Sequence, residues 1–267
     1  MLFTPETLPQ RPYRRIVSLV PSLTETLAGL GLAHLLVGRT RFCTSSPALL
    51  GGVAKVGGTK TPDLGKIRAL QPDLVLAVKE ENNLADAQAL AGDCPVLVFD
   101  IGTARQGLAC ADYLCRLLGG DIERWAFARQ QAEAYMAIPP VADPLRALYL
   151  IWQDPYMTVG QDTYIADMLL HTGFALPNPA WRRYPAIDLD EAVRLYQPQV
   201  LLLSSEPYPF KEKHVRALEA QTSLPAYLID GQLMSWYGTL TADGLAYGRA
   251  LQARILADAF CGGAGLV

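Results

Sequence analysis

Two stretches of this chain read almost alike: Ile67-Arg-Ala-Leu-Gln-Pro-Asp-Leu-Val-Leu and Val193-Arg-Leu-Tyr-Gln-Pro-Gln-Val-Leu-Leu, at an offset of 126 residues. Each passes from an amphipathic helical pattern through a Gln-Pro break into a short apolar run. A later pair, Pro95-Val-Leu-Val-Phe-Asp100 and Pro225-Ala-Tyr-Leu-Ile-Asp230, recurs at an offset of 130, so the order of elements repeats as well. A repeated helix–break–strand unit constrains the fold more than composition does, because each copy must bury its own apolar strand under its own helices. The expectation is an α/β protein of two Rossmann-like lobes with parallel sheets, joined by one long linking helix, with a ligand cleft between the lobes.

The local signals agree. Ile16 to Val20 reads as the first strand, Pro21 closes it, and Ser22 with Glu25 stands in the spacing of a capping box. Thr61-Pro62-Asp63 is expected to open a helix with Pro62 at its first position and to run to about Leu70. Gly119-Gly120 breaks a helix and Asp121 caps the next, which runs to Ala137 and at roughly 1.5 Å per residue spans about 25 Å. Pro139, Pro140 and Pro144 follow. The expected division is therefore 1–120 for the first lobe, 121–140 for the linker and 141–267 for the second. In that second lobe, Leu145 to Ile151 reads as a strand, Asp162 as a helix cap, Asp188 and Glu191 as a capping pair, and Phe210 to Ala220 as a helix.

Half of the residues are apolar and the net charge is −3, which suits large buried cores and offers no electrostatic drive toward a phosphate backbone. Nucleic acid is not an expected partner. Charged residues, Pro or Gly interrupt every apolar stretch, so no membrane insertion is expected. Residues 1–15 hold three Pro and three Arg without an apolar run and do not resemble an export signal. A cytoplasmic location is expected on that ground, with the periplasm as the alternative. The five cysteines (Cys43, Cys94, Cys110, Cys115, Cys261) lack CxxC spacing, and the three histidines (His34, His171, His214) form no HExxH pair, so neither a metal centre nor an intrinsic cofactor is expected. No phosphate-binding glycine motif and no nucleophile elbow is present; Ser204-Ser205 follows a strand but lacks the flanking glycines. An enzyme reusing the fold, with 204–211 as its reactive loop, is the minor reading.

Open α/β sheets bind ligands beyond the carboxyl ends of their strands. Two such segments stand out, Lys79-Glu-Glu-Asn-Asn83 and Ser204-Ser-Glu-Pro-Tyr-Pro-Phe-Lys211, and the offset of 126 aligns Glu80 with Glu206. These carboxylates either accept hydrogen bonds from amide-bearing ligand edges or point into solvent. Other strand-end loops carry Arg39, Arg41, Phe42, Lys60, Trp152, Tyr156, Trp181, Arg182, Arg183, Tyr184, Trp236 and Tyr237. Aromatic groups in such loops suit a large, flat ligand with a polar fringe. Trp236, Tyr237, Tyr156 and Tyr184 are expected to supply stacking area, and Lys60, Lys79, Glu80 and Glu206 to meet the fringe.

The set Arg15-Ile-Val-Ser-Leu-Val-Pro-Ser-Leu-Thr-Glu25, Gly58-Thr-Lys-Thr-Pro-Asp-Leu64, Leu70-Gln-Pro-Asp-Leu-Val75 and Tyr184-Pro-Ala-Ile-Asp-Leu-Asp190, in this order, resembles the class III substrate-binding proteins of ABC importers, the helical-backbone metal-receptor superfamily. That resemblance spans nearly the whole chain and is nearest to the vitamin B12-binding branch. It implies a monomer without catalytic activity, which holds cobalamin or an iron chelate such as a ferric siderophore or haem against aromatic side chains. Phe42, Lys60, Lys79, Tyr156, Tyr184 and Trp236 match that branch's cleft loops, although Lys60 and Val78 stand where it tends to carry tryptophan. The resemblance also implies docking on importer membrane subunits through one acidic residue per lobe. Asp190 fits the second position, whereas Gly65 occupies the first.

Overall fold

The computed structural model describes residues 1–44 and 47–261 and divides into two compact units, Met1–Gln131 with Trp236–Thr241, and Ala132–Ser235 with Ala242–Val267. In the first unit the elements run β1 (Leu2–Phe3), β2 (Ile16–Ser18), α1 (Pro21–Gly29), β3 (Leu36–Arg39), α2 (Pro47–Leu50), β4 (Ala54–Lys55), α3 (Leu64–Ala69), β5 (Leu74–Val78), α4 (Leu84–Ala91), β6 (Val96–Phe99) and α5 (Ala104–Leu118). The helix α6 (Ile122–Met136) contains the point at which the two units divide. Next come β7 (Leu145–Trp152), β8 (Met157–Thr158), α7 (Tyr164–His171), β9 (Phe174–Ala175), α8 (Leu189–Tyr196), β10 (Val200–Ser204), α9 (Glu212–Thr222), β11 (Ala226–Ile229), α10 (Gly231–Ser235) and α11 (Thr241–Cys261).

The first unit's sheet has the order β1-β6-β5-β2-β3-β4, and all its pairings are parallel. In the second unit the order is β11-β10-β7-β8, with β9 parallel to β7 and only β8 antiparallel. The central strands β5 and β10 are buried at every residue, which is why they read as unbroken apolar runs and not as alternating patterns. Each fully buried Leu of β10 contributes on the order of 1.5–3 kcal/mol by leaving water. Among the described residues, no helix is long and apolar enough to cross a membrane.

The repeat seen in sequence is also a repeat of hydrogen bonds. Asp63 caps α3 by accepting from Lys66 N at 3.0 Å, and Asp188 caps α8 by accepting from Glu191 N at 2.9 Å. Both helices end at a glutamine in the left-handed region, Gln71 at φ 47° and Gln197 at φ 46°, each followed by proline. An arginine answers each glutamine: Arg15 Nε donates to Gln71 O and Arg146 Nε to Gln197 O, both at 3.1 Å. The residue after each proline then latches the neighbouring strand. Asp73 accepts from Arg14 N and Arg15 N at 2.8 and 2.9 Å, and Gln199 Oε1 accepts from Arg146 N at 2.9 Å. A non-glycine residue in this backbone region costs about 1–2 kcal/mol, which the arginine bond and the paired strands offset.

Several local expectations are corrected. Pro21, not Ser22, opens α1: Val20 is the N-cap without a side-chain bond, and Ser22 lies buried in the first turn. Proline suits that position because it has no N–H to leave unpaired. Pro62 precedes a helix that Asp63 caps, so α3 starts at Leu64. Thr163, not Asp162, caps α7; Asp162 instead accepts from Arg183 N at 2.6 Å. The helix expected from Phe210 is α9, which begins at Glu212 because Lys211 takes the cap position. Cys43, Cys94, Cys110 and Cys115 are unpaired thiols, and burial pushes the Cys43 and Cys110 thiols upward. Cys261's side chain lies outside the described residues.

Candidate ligand-binding loops

In the first unit the ends of β2, β5 and β6 and the Gly57–Lys60 turn lie in one bonded cluster. Asn82 is its keystone: Oδ1 accepts from Val78 N at 2.8 Å, while Nδ2 donates to Leu19 O at 3.2 Å and Thr59 O at 3.1 Å. One amide thereby ties three chain segments, a role that the Glu-Glu-Asn-Asn string did not disclose. Around it, Lys60 Nζ donates to Glu80 O at 2.7 Å, Asn83 Nδ2 donates to Lys60 O at 2.7 Å, and Lys79 pairs with Asp100 at 2.7 Å. Asn82→Ala leaves at least one buried partner unanswered and is expected to destabilise the chain by about 1–3 kcal/mol, read in urea denaturation. An unchanged midpoint would remove Asn82 from this role.

Phe42 is 48% exposed and lies under the Arg41 guanidinium, 4.9 Å from its ring centroid. Arg39 differs from it: only 8% exposed, it donates to Cys43 O at 2.6 Å and Leu50 O at 3.3 Å and so shapes the loop between β3 and β4. Trp236 and Tyr237, expected as stacking surfaces, are 5% and 4% exposed. The Tyr237 hydroxyl donates to Glu81 Oε1 at 3.4 Å, and burial, with the Glu81 charge second, pushes its pKa well above the usual tyrosine value. In the same turn Thr26 Oγ1 of α1 donates to Tyr237 O at 3.2 Å, and Gly238 packs against that threonine.

In the second unit Glu206 lies two residues beyond β10, as Glu80 lies two beyond β5. Glu206 Oε1 accepts from Ser235 Oγ at 3.2 Å. Ser204 is 1% exposed; it donates to Glu206 O at 2.6 Å and accepts from the Tyr149 hydroxyl at 3.3 Å. Those bonds spend its proton on a backbone carbonyl, so Ser204 is not the activated nucleophile that the minor reading of 204–211 as a reactive loop would need. Tyr156 is half-buried against the unit's apolar core, and Tyr184 is likewise half-buried. Asp190, on the exposed start of α8, accepts from Gln221 Nε2 of α9 at 2.8 Å. Gly65 stands at the corresponding second position of α3.

An aromatic group underestimated in the sequence gathers at the ends of β7 and β10. Trp152, 40% exposed, meets Tyr208 edge to face at 5.6 Å; Tyr208 meets Phe210 at 4.8 Å, and both meet His214, at 5.6 and 5.5 Å. The signal was present, with Trp152 closing one strand and Tyr208 and Phe210 alternating after the next. Only the parallel pairing of β7 with β10 brings them together.

His214 Nδ1 accepts from Lys211 N at 2.8 Å, so the cap of α9 requires a neutral imidazole with its proton on Nε2. Burial, followed by the charges of Lys213 and Lys211, holds its pKa below the ordinary histidine value. A group depressed in the folded state stabilises above its unfolded pKa and loses that contribution as pH falls through the folded one. The α9 cap and the aromatic group beside it are therefore expected to loosen below the ordinary histidine range. His214→Gln should flatten that dependence in a pH series of melting curves; an unaltered series would refute it.

The remaining basic groups are largely committed. Arg182 Nη1 donates to Pro179 O at 2.8 Å and Trp181 O at 2.9 Å, and Arg183 pairs with Asp162 at 3.4 Å. Among the described residues, no group of three or more His, Cys, Asp or Glu side chains could hold a metal ion.

Residues 16–228 match the family described as periplasmic binding protein. The vitamin B12-binding protein of Vibrio parahaemolyticus is 24% identical over 210 residues, which cover 76% of this chain and 75% of that protein. Among solved structures, the periplasmic vitamin B12 binding protein of Vibrio cholerae superposes with a TM-score of 0.69 at 19% identity, covering 92% of this chain and 98% of its own. The periplasmic heme-binding protein of Roseiflexus sp. RS-1 gives 0.70 at 18% identity, covering 90% and 97%. At these identities the structural likeness establishes the fold alone.

Proposed function

The chain belongs to the periplasmic binding protein family, whose members bind substrates without transforming them, and from that premise we propose that it binds a corrinoid. The observation that carries this reading is the side-chain inventory of the strand-end loops. Exposed or half-buried aromatic rings (Phe42, Trp152, Tyr156, Tyr184, Tyr208) stand with carboxylates at matched positions (Glu80, Glu206). Aromatic faces suit a corrin ring, and carboxylate and backbone oxygens accept from its amide fringe. Lys60 and Lys79 lie in the same loops, with their ammonium groups on Glu80 O and Asp100.

The rival ligand, an anionic ferric siderophore or haem, needs guanidinium groups to neutralise it. Arg39, Arg182 and Arg183 are spent on backbone carbonyls or Asp162, which leaves Arg41. The relatives named for vitamin B12 support the corrinoid reading, and those named for heme keep the rival in the test. In this reading the chain delivers its ligand to an ABC importer, with Asp190 as one docking group and no acidic counterpart at Gly65. The family is normally periplasmic; a cytosolic placement of this chain is the alternative, which fractionation of the producing cells separates.

Calorimetric and absorbance titration with cyanocobalamin, cobinamide, hemin and a panel of ferric siderophores tests the ligand class. Saturable binding of a corrinoid without turnover is the expected result. Saturation by hemin or a ferric chelate, with no heat from either corrinoid, would overturn it.

A further inference from the structure

The first unit contains a cavity of about 380 Å³ between the sheet and the start of α4, lined by Leu2, Phe3, Ala77, Val98, Leu84 and Ala87 among others. Its wall consists of apolar side chains from four elements: β1, β5, β6 and α4. The N-terminal strand closes one side, since β1 pairs with β6 through Leu2 and Val96 and the Met1 ammonium is bonded to Ala91 O on α4. An opening of this size lies within the range of small-molecule sites.

The rim decides what enters. Its polar groups are Thr4, Thr7, Lys79, Asn82 and Asn83, and each is already engaged. Thr4 N donates to Thr7 Oγ1 at 2.9 Å and the two hydroxyls meet at 3.3 Å; Lys79 is held by Asp100 at 2.7 Å. Asn82 ties Val78, Leu19 and Thr59, and Asn83 donates to Lys60 O. A charged guest would lose hydration without gaining a counter-charge that is not already paired, whereas an uncharged guest forfeits only apolar surface contact with water.

We propose that this cavity, whose rim shares Lys79, Asn82 and Asn83 with the loop after β5, is a second binding site that takes a slender uncharged apolar molecule such as an aliphatic alcohol. It does not depend on the identity of the main ligand. The test titrates the full chain with 1-octanol, octanoate and octylammonium while following the Ala77 and Ala87 methyl resonances. Octanol should shift both methyls saturably, and the two ionic homologues should bind about tenfold more weakly or worse. Leu84 is 64% exposed at the mouth, so Leu84→Glu should weaken octanol by a similar factor with an unchanged melting curve. Ala87→Phe, which fills the space, should abolish the shift. Absence of a saturable shift, or octanoate binding as tightly as octanol, would overturn the proposal.

Discussion

Gly238→Ala is expected to destabilise the chain by about 3 kcal/mol or more, the sum of two penalties. Gly238 has φ 84°, where an L side chain is strained, and a Cβ there would lie within van der Waals overlap of the Thr26 hydroxyl. Thr26 cannot simply turn away: its Oγ1 is shared between Ser22 O at 2.8 Å and Tyr237 O at 3.2 Å. Gly31→Ala is the control, because Gly31 has φ 76° but open space where the methyl would go. That variant should lose only the backbone penalty, about 1–2 kcal/mol. Equal midpoints for the two variants in urea denaturation would show that the contact with Thr26 carries nothing.

The second large effect is on binding. Trp152→Ala and Tyr208→Ala are each expected to weaken corrinoid affinity by about 2 kcal/mol, roughly thirtyfold, because truncating an aromatic anchor removes both its area and its face. The double variant should lose less than the sum, since the two rings support one another edge to face. Trp152→Ala should leave the melting temperature nearly unchanged, as the side chain is 40% exposed. Calorimetry on the three variants distinguishes the outcomes. Unaltered affinity in both single variants would take the ligand away from these loops and leave Phe42 as the most exposed of the candidate loop rings.

Local rules accounted for the order of elements because their causes lie within a few residues. Asp188 caps α8 and accepts from Glu191 N as its spacing required, and the Gln-Pro break ends both repeated helices. Misplaced boundaries have equally local causes. A serine one residue inside a helix competes with a proline made for the first position, and Thr163 is as competent a cap as Asp162. The candidate site was less legible. Lys60, Lys79, Glu80 and Glu206 do lie in strand-end loops, yet nothing in their spacing says that Lys60 spends its ammonium on Glu80 O or that Lys79 meets Asp100.

By itself the sequence determined that the chain builds one α/β unit twice, since a helix, a glutamine-proline break and an apolar strand recur at nearly constant spacing and the backbone has few ways to satisfy each. Tertiary structure alone decided which aromatic and charged groups remain available to a ligand. Trp236 and Arg39 are drawn inside, Trp152 and Phe42 are left outside, and Tyr208 is brought to Trp152 by strand pairing. Burial and hydrogen-bond partnership are settled by groups far away in sequence, which compete for the same carbonyls and the same volume, and no local pattern records who wins that competition.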